Sequence, residues 1–129
     1  MQTTPANPPV SGLKMSEKVD FTSAEHVLYT AKLHNIGGRD GGSSHSSDDR
    51  LNIKLSVPGL PGNGTNPEQL FAAGWSACFM SAMKIAGGKM KVRFPVDAAV
   101  DAEVDLCLGD DKTHFLQARL NISLRGYRC

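Results

Sequence analysis

Cysteine, aromatic side chains and an excess of either charge are all scarce in this 129-residue chain. Fourteen Lys and Arg stand against 13 Asp and Glu, a formal net charge of +1 with no block of like sign. That balance lacks the basic stripe of a nucleic-acid binder. The three cysteines, Cys78, Cys107 and Cys129, are odd in number and far apart. They make neither the disulfide framework of a small secreted domain nor a CxxC pair for zinc or dithiol chemistry. No apolar run approaches the roughly 20 residues of a membrane-spanning helix. The N-terminus has no basic stretch followed by an apolar one, as a secretory signal would, and residues 1–26 hold no Arg but contain Glu17, Asp20 and Glu25, unlike a transit peptide. The expectation is a soluble, cytoplasmic protein with neither nucleic acid nor membrane as partner. In a reducing compartment a lone cysteine is free to act as a thiol.

What is present is one domain's worth of ordinary globular composition, 40% hydrophobic and 21% charged. Residues 1–26, polar and Pro-rich at the start, read as a flexible extension, and 27–129 as the folded domain. Val27 to Ile36 alternates as a strand, with Val27, Tyr29, Ala31 and Leu33 on one face. A glycine-rich loop, Gly37-Gly38-Arg39-Asp40-Gly41-Gly42, follows. Arg50 to Val57 alternates again, and the two runs are expected to pair around the loop, with room for a short strand at Ser43–Ser46. Asn66-Pro67-Glu68-Gln69 is a helix start: Asn66 caps, Pro67 needs no N–H at the first position, and Gln69 closes a capping box. The helix should stop at Gly87-Gly88. It carries no charge between Glu68 and Lys84, which predicts a buried helix. Val96–Leu108 and Phe115–Leu124 alternate strictly around Gly109–Thr113. They predict a hairpin with Glu103 opposite Arg119. The fold class is α+β, an antiparallel sheet with a buried central helix.

Among residues with chemistry, Cys78 lies on a helical stripe with Glu68, Phe71, Trp75, Ala82 and Ile85. It is either a small buried hydrophobe or a nucleophile. The second role needs a cation to populate the thiolate, because Cys78 is some three turns from the helix N-terminus. Arg39 in the glycine loop is the available cation, or else a solvated turn residue. Glu68 is either its partner or a first-turn acid favourable to the helix dipole. Gly59–Thr65 resembles a phosphate loop but lacks the Lys-Ser/Thr pair. The four histidines show no metal spacing, and no GxSxG supports a serine hydrolase. Cys107, beside Asp105, reads as inert.

Four segments together resemble the organic hydroperoxide resistance (Ohr) group of the OsmC/Ohr superfamily: Leu28-Tyr29-Thr30-Ala31, Gly37-Gly38-Arg39-Asp40-Gly41, Leu51-Asn52-Ile53-Lys54-Leu55-Ser56, and Gly64-Thr65-Asn66-Pro67-Glu68-Gln69-Leu70-Phe71-Ala72-Ala73-Gly74-Trp75-Ser76-Ala77-Cys78-Phe79. The resemblance implies an intertwined homodimer with two active sites at the subunit interface. Cys78 would be the peroxidatic cysteine, activated by Arg39 and Glu68, and no bound cofactor would be needed. The substrates would be organic or fatty-acid hydroperoxides, reduced to alcohols in the response to oxidative stress. The reductant would be an external dithiol, a lipoylated protein or dihydrolipoamide. Nothing here matches the family's resolving cysteine, and the chain ends where the family continues into a helix and a final strand. The reading is therefore an Ohr-like domain lacking those last elements and the usual resolving partner, so that its cycle stops at the sulfenic acid or proceeds by direct reduction with an external thiol. Its alternatives are an inactive homologue serving only as dimerisation partner, or a general OsmC-type peroxidase. One geometric expectation is independent of family. Glu68 and Cys78 are ten residues apart, about 15 Å on an unbroken helix, so a second subunit must bring them together unless the helix breaks.

Overall fold

A computed structural model of the chain describes residues 26–125. The chain divides into two compact units at Thr30. Of the first, the described residues 26–30 carry no helix or strand; most of the expected extension (1–26) lies outside the described residues. All that follows concerns the second unit.

Its elements run β1 (Leu33–Ile36), β2 (Ser43–Ser46), β3 (Asn52–Lys54), α1 (Pro67–Lys89), β4 (Ala99–Leu108) and β5 (His114–Ser123). The α+β class is as expected, with two antiparallel sheets, β1-β2-β3 and β4-β5. The first differs from the expected ribbon. The two alternating runs do not pair with each other, because the short Ser43–Ser46 strand lies between them and bonds to both. The long strand expected from Val27 is only four residues, since its partner β2 is four residues long. Beyond the last bond, Ser47 N–H to the Lys32 carbonyl at 3.0 Å, the chain turns away at Asp48-Asp49. Asp49 takes the left-handed conformation there, φ +64°, which Asp tolerates in turns.

Helix α1 begins as the sequence dictates. Asn66 is extended and its side chain accepts from the Gln69 N–H at 2.9 Å, with Pro67 in the first turn. The capping box closes differently: the Gln69 side-chain carbonyl accepts from the Thr65 hydroxyl at 2.6 Å. The helix also runs through Gly87-Gly88 to Lys89. Glycine inside a helix is penalised by only about 1 kcal/mol, and the stop is made later. Lys91 is left-handed, φ +58°. Its N–H reaches the Gly88 carbonyl at 3.1 Å, and the Val92 N–H reaches Gly87 at 2.8 Å, the paired bonds of a Schellman ending.

Two expectations about this helix are corrected. None of its residues is buried in the single chain; Phe71, Trp75 and Ile85 are exposed. Among the strands only β4 packs substantially along it, and one hairpin covers one side of a helical cylinder. By length and composition α1 also reaches what a membrane crossing requires, contrary to the expectation drawn from uninterrupted apolar runs. The inner helix of a water-soluble fold meets the same measure, and α1 packs on a strand.

The β4–β5 register sets Glu103 opposite Arg119, as expected. Arg119 donates to Glu103 at 2.8 Å and, through both terminal nitrogens, to Asp105 at 2.9 and 3.0 Å. Gln117 adds a bond to Asp105 at 2.7 Å. These bonds, Arg119 first, hold the Asp105 carboxyl at about 2 against its ordinary 3.8. A depressed carboxyl contributes stability that is full above the unfolded value and is lost as pH falls through the folded one. Arg119→Met should return the Asp105 titration toward 3.8. The stability difference between the two proteins should be constant above that pH and vanish below about pH 2. Carboxyl NMR titration and acid unfolding check both.

Candidate active site

Arg39 and Glu68, 29 residues apart, meet in the folded chain. One terminal nitrogen, Nη2, donates to both Glu68 carboxylate oxygens at 2.8 Å. The Glu68 side chain is well sheltered at 13% exposure, and Arg39 is half-buried at 37%. The Glu68 bond holds the Arg39 guanidinium more firmly protonated than usual; burial opposes it, and the negative charges of Glu68 and Asp40 add smaller support. Both bonds to Glu68 come from one nitrogen, not from two in a side-by-side fork. Because the carboxylate takes only the two N–H groups of Nη2, the remaining donors of the guanidinium's five have no protein acceptor among the described residues.

Local chemistry brings the two together. The loop that carries Arg39 needs left-handed backbone at Gly37, Gly38 and Gly41, and it closes by a bond from the Gly42 N–H to the Gly38 carbonyl at 2.9 Å. A side chain on Gly42 would lie 2.2 Å from the Ile36 carbonyl oxygen, so only glycine fits. Leu55 then joins loop to helix. Its N–H donates to the Gly42 carbonyl at 2.8 Å, and a parallel bridge with Thr65 is made by the Thr65 N–H to Lys54 and the Ser56 N–H to Thr65, each at 2.9 Å. Thr65 precedes the Asn66 cap, so Glu68 follows within the first turn. The residues read as a loop resembling a phosphate binder, Gly59–Thr65, are this connection. The Gly64 N–H is directed at the Ser56 hydroxyl at 2.8 Å.

Cys78 is elsewhere. It is an exposed free thiol on the same unbroken helix, one turn beyond Trp75, whose ring stacks on Phe71 with centroids 5.7 Å apart. Ten residues of helix separate it from Glu68 by about 15 Å. The chain thus assembles the cation–carboxylate pair and displays the thiol separately. Cys107 is a partly exposed free thiol at the turn end of β4, opposite Phe115. Cys129 lies outside the described residues.

A recess of about 620 Å³ opens beside the ion pair, lined by Arg39, Glu68, Ala72, Ala102, Val104 and Leu106. A second, about 740 Å³, flanks Arg39 from the side of Leu55, Leu70 and Ala73. The helical stripe through Cys78 points to Phe71 and Trp75 as apolar neighbours and gives no sign of the β4 side chains Ala102, Val104 and Leu106. Their alternation showed a common face, but not which turn of the helix that face would meet.

An OsmC-like protein family model matches residues 60–126. The chain is 48% identical over 90 residues to the organic hydroperoxide resistance protein of Xanthomonas axonopodis pv. citri, covering 67% of this chain and 63% of that one. It is 36% identical over 104 residues to the organic hydroperoxide resistance protein OhrA of Bacillus subtilis, covering 77% and 71%. This chain is an Ohr member of the OsmC/Ohr superfamily. The crystal structure of Bacillus subtilis OhrB superimposes with a TM-score of 0.72 at 30% identity, over 79% of this chain and 76% of that one. The Ohr chain described here thus spans somewhat less than two-thirds of its Xanthomonas relative and about three-quarters of the OhrB structure.

The Ohr ion pair rests on Leu55, whose side chain is 6% exposed and is the one buried hydrophobe among the described residues. Leu55→Ala should destabilise the fold by about 2–5 kcal/mol, read as a fall in the denaturant midpoint. Leu55→Met, near in volume, should lose less than about 1.5 kcal/mol.

Proposed function

We propose that this protein is a cysteine-based peroxidase that reduces organic hydroperoxides to alcohols. Cys78 is the attacking thiolate, and the Arg39–Glu68 pair of a second subunit completes the site. The observation that carries this reading is the separation itself: a formed Arg39–Glu68 pair with unused donors, and an exposed thiol about 15 Å along the same rigid helix. A twofold dimer that lays one helix against its copy brings each thiol to the other chain's pair. The OsmC/Ohr membership and the names of the relatives support the substrate class.

The chemistry follows from the donors. Glu68 holds one end of the guanidinium, and the free N–H groups stabilise the Cys78 thiolate and polarise the peroxide oxygen. Sulfur attacks the terminal oxygen of ROOH, the O–O bond breaks, and RO⁻ takes up a proton and leaves as the alcohol. Cys78 remains as the sulfenic acid. An external dithiol, a lipoylated protein or dihydrolipoamide, then condenses with it, losing water and forming a mixed disulfide. The second thiol of the reductant releases Cys78. No bound cofactor is required, and the cycle suits a reducing cytoplasm. The apolar recesses beside Arg39 favour an alkyl or fatty-acid peroxide over hydrogen peroxide.

Cumene hydroperoxide with a sulfenic-acid trap should give a mass adduct on Cys78 that Cys78→Ser abolishes. Arg39→Met should slow its formation about 10²–10³-fold. Mixing the two inactive variants tests the shared site. Half the dimers become hybrids with one intact site, so about a quarter of the activity should return. No recovery on mixing, in chains shown to exchange, would place the whole site within one chain.

A further inference from the structure

The face of the β1-β2-β3 sheet opposite the buried Ser44 and Ser46 carries a row that the peroxidase reading does not use. His34 and His45 are directly opposed partners across β1 and β2, and His45 is opposed by Asn52 across β3. Directly opposed residues point to the same side with Cβ atoms about 4.5–5.5 Å apart, within which two imidazoles can share one ion. Both histidines line one shallow surface recess with Lys32 and Ser47, and both are exposed.

The second observation is the contact between His45 Nε2 and the Asp49 carboxylate. An ionised carboxylate only accepts, so Nε2 carries the hydrogen and Nδ1 of the neutral ring is left with a free lone pair. This is how a carboxylate orients a metal-bound histidine from behind. Asp49 is available for it because the neighbouring turn carboxylate is otherwise engaged. Asp48 accepts from the Ser46 hydroxyl at 2.7 Å and the Arg50 N–H at 3.1 Å.

We propose that His34 and His45 form a cross-strand chelate for a divalent transition-metal ion of the zinc class, with Asp49 orienting His45. No group of three or more His, Cys, Asp or Glu side chains that could hold a metal ion is gathered among the described residues. The protein therefore supplies two ligands and water completes the shell, giving a site of modest affinity. The charged groups on or beside this face are Lys32 and Lys54, which oppose a cation, and Asp49, which favours it. The ion would staple the two strands that lead into and out of the Arg39 loop.

The test is calorimetric titration of the full chain with zinc chloride at neutral pH, after alkylating its thiols with iodoacetamide so that no cysteine competes. Zinc should bind at one equivalent. His34→Ala and His45→Ala should each weaken binding at least about tenfold, and Asp49→Asn by about tenfold. His114→Ala should leave it unchanged. Binding should weaken on acidification, because protons compete with the metal for the imidazole nitrogens. Circular dichroism confirms that each variant is folded. No uptake at millimolar zinc, an unchanged His34→Ala, or an equal loss in His114→Ala would overturn the chelate. His45 and Asp49 would then only close the turn.

Discussion

The Arg39–Glu68 pair depends on a short stretch of backbone at Leu55. That residue receives the closing bond of the glycine loop on one side and lies beside the segment that becomes the helix cap on the other. Two charged side chains 29 residues apart therefore meet with little freedom to separate, since each is the product of a fixed backbone. Arg39 is presented by a loop that only glycine can close, and Glu68 by the first turn of a capped helix. Leu55 is also the one buried hydrophobe among the described residues, so the burial that secures the fold and the bonds that position the pair coincide at one position.

The cost of this arrangement is that the thiol cannot be reached within the chain. A helix of 23 residues without a break is rigid over the ten positions between Glu68 and Cys78. It keeps the Cys78 thiol exposed, one turn beyond a stacked Phe71–Trp75 pair. The same exposure explains why so much apolar surface, including Phe115, Leu116 and Ile122 on β5, faces water in the single chain. A surface of that extent is unusual for an isolated soluble domain and is consistent with a helix read from composition as an interior one.

The electrostatics fall into two separate groups. Arg119 gathers Glu103 and Asp105 on the outer face of the hairpin, with Gln117 donating to Asp105, where solvent screens such pairs and their contribution to stability is small. Arg39 and Glu68 are more sheltered, and their pairing through Nη2 alone leaves other guanidinium donors without a protein acceptor among the described residues.

Much of this was legible in the residues. Asn66-Pro67 announces the helix start because capping is a local matter of one side chain and one N–H. Strict alternation in Val96–Leu108 and Phe115–Leu124 sets the hairpin register down to Glu103 opposite Arg119, because a turn of known length leaves one pairing. Cys78, Arg39 and Glu68 could be singled out from their motif. The rest was decided in three dimensions. β1 is short because β2 is, and β2 sits between the two longer runs with Ser44 and Ser46 buried. The helix continues past Gly87-Gly88 because the chain satisfies its last carbonyls only when Lys91 turns left-handed. Which ends of Arg39 and Glu68 touch, and that Cys78 stands apart from both, follow from contacts between segments distant in sequence. Spacing along a chain carries local geometry, whereas the meeting of a loop, a helix start and a strand depends on the backbone bonds that join them.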